Sequence, residues 1–127
     1  MGRVYGSSVG YDLPSGDTLQ PDLTFVTNER LANAPRPQLG EFGKVVPDLV
    51  VEILSRSTAG RDRGEKKDIY VANGVREYWI VDPERQTVTV FHSRGADFDA
   101  GVVYARGAAE SQILPGLETN LSELFEP

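Results

Sequence analysis

With 127 residues, 39% of them hydrophobic and 25% charged, the chain suits a single globular domain over 1–127. No apolar run approaches the ~20 residues of a membrane helix, and no signal-peptide pattern follows Met1-Gly2-Arg3. The lack of cysteine and the single histidine, His92, exclude disulfides, thiolate metal sites and multi-histidine zinc sites, and fit a reducing cytoplasm. A net charge of −6 argues against a broad nonspecific nucleic-acid surface.

Arg3 to Leu13, with Gly6 and Gly10, reads as an irregular edge strand or hairpin closed by the turn Pro14-Ser15-Gly16-Asp17. Leu19 to Thr27 reads as a strand, and Asn28 to Ala32 as one helical turn capped by Asn28. A Pro- and Gly-bearing loop over 33–43 precedes a second strand, Val45 to Ser55. Ser57-Thr58 offers an N-cap for a helix from about Gly60 or Arg61 to Asn73, ended by Gly74. That helix is apolar only in its last turns, so its charged first half faces solvent, a ligand or the acidic strand. Arg56, Arg61, Arg63, Lys66 and Lys67 form a local basic cluster there, whose simplest role is a solvated helix face. Arg76 to Asp82 is a third core strand, and Thr87 to Phe91 returns antiparallel with period-two alternation. Val102 to Tyr104 and Gln112 to Leu114 read as further short strands. Leu121 to Phe125 reads as a terminal helical turn capped by Asn120. The order strand, strand, helix, strand, strand predicts an α/β (α+β) domain with a mixed sheet, the helix making a parallel crossover.

The run Pro47-Asp48-Leu49-Val50-Val51-Glu52-Ile53-Leu54-Ser55 carries the chemistry. Along a strand Asp48, Val50, Glu52 and Leu54 share one face, and Leu49, Val51 and Ile53 share the other, expected to bury against a core. A glutamate inside such a run must be solvated, paired or bound to a metal. A similar run, Pro21-Asp22-Leu23-Thr24-Phe25-Val26, lies upstream. Asp22 and Asp48 each follow proline, where an aspartate often serves only a turn. Two acid-bearing strands and a lysine-bearing helix suggest an oxygen-rich site for magnesium, manganese or calcium. Tyr78 and Trp79 read as core residues, and His92 as a surface histidine at a strand end.

Three blocks carry a resemblance: Pro47 to Ser55; Asp62-Arg63-Gly64-Glu65-Lys66 with Tyr70; and Gly74-Val75-Arg76-Glu77-Tyr78-Trp79-Ile80-Val81-Asp82-Pro83. Together with Leu19 to Val26 and Leu114-Pro115-Gly116-Leu117, they resemble the Uma family of restriction endonucleases, within the PD-(D/E)XK nuclease superfamily. The likeness spans about Arg3 to Phe125. It implies a restriction-endonuclease-like mixed sheet flanked by helices, and a Mg2+- or Mn2+-dependent endonuclease acting on DNA. Asp22 matches the metal-binding aspartate and Glu52 the acid of the (D/E)XK strand. The usual lysine position is occupied by Ile53-Leu54, and Lys66 on the following helix matches the migrated lysine. Asp48 lies within a family motif without an assigned role. Arg56 stands where relatives commonly carry proline, a phosphate contact or a tolerated loop residue. Relatives also carry an N-terminal helical segment before the Asp22 strand, so the chain is expected to be shortened. The exposed sheet face that follows would favour a homodimer. The alternative is a catalytically inactive nuclease fold serving binding or oligomerisation.

Overall fold

The computed structural model describes residues 2–6, 10–34, 44–55 and 64–125. Six strands form one mixed sheet in the order β1 (Gly2–Gly6), β4 (Leu23–Thr27), β5 (Leu49–Ile53), β6 (Glu77–Asp82), β7 (Thr87–His92) and β8 (Val102–Tyr104). The β5–β6 pair is parallel and its neighbours are antiparallel. Parallel neighbours need a long crossover, and helix α2 (Glu65–Ala72) lies in that connection, as the sequence order predicts. Two small hairpins, β2 (Tyr11–Asp12) with β3 (Thr18–Leu19) and β9 (Ala108–Glu110) with β10 (Glu118–Asn120), sit off the main sheet. Helices α1 (Asn28–Asn33) and α3 (Leu121–Leu124) complete the described elements.

Both sheet faces are covered. On the first, Val26, Val50, Tyr78, Ile80 and Phe91 pack under the β2–β3 hairpin, Tyr70 and Val71 of α2, and Phe98. The Tyr78 ring lies 5.2 Å from Tyr70, 6.2 Å from Phe91 and 5.9 Å from Phe98, centroid to centroid. Such pairs add about 0.5–1.5 kcal/mol each beyond their buried area. On the second face, Phe25, Leu49, Trp79, Val81, Val88 and Val90 pack under Ala109 and Leu121. Every residue of β6 is therefore buried, which is why its sequence is a near-continuous apolar run without alternation.

Two-sided cover also corrects the expectation for β5. Val50, on the acid face, is wholly buried, whereas Ile53 is 51% exposed. The second layer covers Phe25 and Leu49 as well as β6 and β7 but leaves Val4, Leu23 and Ile53 exposed on that side of the sheet.

Several element boundaries also differ from the sequence-based reading. The strand expected over Leu19 to Thr27 breaks at 20–22, because Pro21 has no N–H for a ladder and the Asp22 N–H turns to the Glu52 side chain. The second strand is Leu49–Ile53, shorter than expected, with Val45 to Asp48 irregular. Thr27, not Asn28, caps α1, its hydroxyl accepting from the Arg30 N–H. Gln112 to Leu114 is not a strand. The Gln112 N–H donates to Glu77 and the Leu114 N–H to Ser111 Oγ, so neither is available to a ladder. The N-cap expected at Ser57-Thr58 and the helix start at Gly60 or Arg61 lie outside the described residues. The helix does end where Gly74 adopts φ 97°, a left-handed conformation that glycine tolerates best. Asn73, just before it, exchanges hydrogen bonds with Ser15 at 2.9 and 3.0 Å, docking the 14–17 turn on the helix end.

Candidate active site

The antiparallel register of β4 and β5 sets Leu23 opposite Val51, which brings Asp22 beside Glu52 and Ile53. The Asp22 N–H donates to Glu52 Oε1 at 3.2 Å, and the Ile53 N–H donates to Asp22 Oδ2 at 2.7 Å. Each acid is thus aligned by the backbone next to the other. Glu52 points into the first layer and is only 2% exposed. A bare carboxylate there would be very costly, and two side chains of α2 meet it. Lys66 Nζ lies 3.0 Å from Oε2, and the Tyr70 hydroxyl donates to the same oxygen at 2.8 Å. Lys66 and Tyr70 are one helical turn apart, so one face of α2 delivers both. Lys67 points elsewhere, its ammonium 4.2 Å from the centroid of the Phe91 ring. The basic cluster is therefore not simply a solvated face: both of its described members, Lys66 and Lys67, are partly buried.

The structure sets Asp22, Glu52 and Lys66 next to one another. Asp48 does not join them. It sits four residues from Glu52 along the strand, about 13 Å at ordinary strand rise. Its Oδ2 accepts the Thr27 N–H at 2.7 Å, and its Oδ1 faces Arg30 Nε at 3.1 Å and Arg76 Nη1 at 3.6 Å. Arg30 continues to the carbonyls of Val46, Pro47 and Gly74, so Asp48 anchors a structural clasp. Arg56 lies outside the described residues.

The donor set fits a hard cation. Asp22 and Glu52 offer carboxylate oxygens with no sulfur or imidazole beside them, which favours magnesium or manganese over zinc. No group of three His, Cys, Asp or Glu suited to a metal occurs among the described residues. Two carboxylates suffice for magnesium, which keeps several waters and recruits substrate phosphate.

Two features escape the sequence reading. The Tyr70 hydroxyl belongs to the site; its i, i+4 spacing from Lys66 was the available signal. His92 is not a surface residue. Its side chain is 17% exposed, with Nε2 3.1 Å from Glu77 Oε1, off the line a hydrogen bond needs, and Nδ1 3.4 Å from Asp99 Oδ2. Glu77 is fully buried and also accepts from Trp79 Nε1, Ser111 Oγ and the Gln112 N–H. This cluster ties the sheet to the β9–β10 layer on the face away from Glu52.

Comparison with known proteins agrees with this architecture. A family model described as "Uma2: Putative restriction endonuclease" matches residues 1–122. A crystal structure from Anabaena variabilis, described as a putative nuclease belonging to DUF820, superposes with a TM-score of 0.73 at 18% identity. The match covers 98% of this chain and 68% of that one. At that identity the likeness establishes a shared fold. No curated protein matches the sequence. No helix among the described residues is long and apolar enough to cross a membrane.

Proposed function

The chain belongs to the Uma2 restriction endonuclease family, and from that premise we propose that it is a metal-dependent endonuclease that hydrolyses phosphodiester bonds in DNA. The observation that carries the reading is the buried Glu52 carboxylate, met by Lys66 from the helix and by the Asp22 backbone from the neighbouring strand. Asp22 and Glu52 are the residues that would hold Mg2+ or Mn2+. The bound ion supplies a more acidic water and charge neutralisation at phosphoryl oxygens. Asp22 and Glu52 contribute anionic oxygens aligned by backbone N–H donors. Lys66 contributes a positive charge on a long side chain, able to stabilise the developing charge on the scissile phosphate or orient the attacking water. Tyr70 fixes the direction of the Glu52 carboxylate. Water adds to phosphorus, one P–O ester bond breaks, and the leaving oxygen takes up a proton.

The test is plasmid nicking by purified protein in manganese and in magnesium, with and without chelator. Nicking that chelator abolishes is the expected result. No nicking across a range of DNA substrates, with no metal binding by calorimetry, would leave the nuclease fold as a binding or oligomerisation scaffold.

A further inference from the structure

Glu52 Oε2 holds two donors that differ in kind. Tyr70 is 1% exposed, with its ring packed 5.2 Å from Tyr78, so its hydroxyl is held in place by the core. Lys66 carries its charge on a four-carbon stem at the margin of the site, its side chain 15% exposed. A divalent cation binding Glu52 meets an ammonium already 3.0 Å from the same carboxylate oxygen. Two cations on one carboxylate repel each other, and the flexible one can withdraw without disturbing the core.

We infer that Lys66 is the resident counter-ion of Glu52 in the ion-free protein, and that Tyr70 is the positioning residue keeping the carboxylate aimed when Lys66 yields its place to a divalent cation. This rests on the metal-dependent reading above. It deepens that reading by making the lysine available to a phosphate oxygen only when the cation is present. Before exchange the ammonium neutralises a carboxylate that has almost no solvent. After exchange that task passes to the cation, and the ammonium is released toward an anionic substrate. Metal loading and phosphate recognition are then coupled through one side chain.

Manganese calorimetry on the whole chain tests this. Lys66→Gln removes the competing charge and is expected to bind manganese more tightly, on the order of ten-fold. Tyr70→Phe keeps the ring but frees the carboxylate to turn, and is expected to bind manganese about 10–100-fold more weakly. A merely structural Tyr70 would leave manganese affinity unchanged. Lys66→Gln leaves a buried carboxylate short of a partner, so a second measurement uses the unaltered chain. Acylation of Lys66 by an amine-reactive reagent, followed by peptide mass spectrometry, should accelerate several-fold when manganese is added. Weaker or equal manganese binding by Lys66→Gln, unchanged affinity in Tyr70→Phe, or a Lys66 acylation rate indifferent to manganese would each overturn the inference while leaving the proposed nuclease standing. A wild-type chain that binds no manganese overturns both.

Discussion

Glu52 and Asp48 lie four residues apart, both almost fully buried, and differ in what surrounds them. Glu52 meets the Lys66 ammonium, the Tyr70 hydroxyl and the Asp22 N–H. Its substitution should therefore strike function first. Glu52→Gln keeps the shape but places an amide –NH2 among donors, so at least one of Asp22 N–H, Tyr70 OH or Lys66 loses its acceptor. Manganese-dependent nicking should fall to background. Urea denaturation should show a loss of about 1.5–3 kcal/mol, the scale of a hydrogen bond to a charged group. Asp48 instead faces two arginines and the Thr27 N–H. Asp48→Ala should cost about 1.5–3 kcal/mol in urea denaturation, the scale of hydrogen bonds lost to a charged group, because the arginines left behind are 30% and 51% exposed and stay solvated. Its manganese affinity, read by calorimetry on the folded variant, should stay within two-fold of wild type, on the order of the ~0.4 kcal/mol scatter expected between distant independent sites. The two prolines before the aspartates signalled turns equally well, and only the neighbours in space separate Asp48, held between arginines, from Asp22, set beside Glu52.

At the scale of elements, α2 and His92 at the end of β7 make their contacts on opposite faces of the sheet. Helix α2 is short, with both buried residues, Tyr70 and Val71, near its C-terminal end. Its first turn is left to present Lys66 to the acidic strand. At the end of β7 the chain turns through Ser93 to Asp99, and Asp99 closes the turn. Burial raises the Asp99 pKa, but the backbone N–H groups of His92 and Gly101 and the His92 ring more than offset that and hold it below its ordinary 3.8. A carboxyl whose folded pKa is depressed stabilises the protein above its unfolded value, and that contribution disappears as pH falls through the folded value. Melting temperature followed from pH 7 down to pH 2 should therefore show a steeper acid decline in wild type than in Asp99→Asn. The variant should start lower at neutral pH, because it lacks the anion that those donors favour. The Ser93–Phe98 bridge and the His92 contacts make this turn a firm edge rather than a loose loop.

For the whole molecule, the expected consequence of the site is linkage between metal and stability. A cation that binds the folded chain through Asp22 and Glu52 has no comparable site in the unfolded one. Manganese at about a hundred times its Kd should add about 2.7 kcal/mol, raising the melting temperature by on the order of 10 °C, and chelator should reverse it. Glu52→Gln should show little of that shift. Much of this molecule follows from spacing within short segments. Period-two and near-continuous apolar runs marked β5, β6 and β7, Gly74 marked the end of the helix, and the i, i+4 pair Lys66 and Tyr70 put a lysine on the same helix face as a core residue. Such features are local because a strand or helix places neighbours in sequence by its own geometry. What the sequence alone left open depends on pairing and layering between distant segments. The register of β4 against β5 decided that the Asp22 N–H would meet the Glu52 side chain, and a second layer partly covered His92 beside Glu77 and left Ile53 exposed. The packing of α2 on the sheet set how close the Lys66 ammonium comes to Glu52 and turned Lys67 to the Phe91 ring, because the reach of a side chain to a buried carboxylate depends on where the helix docks.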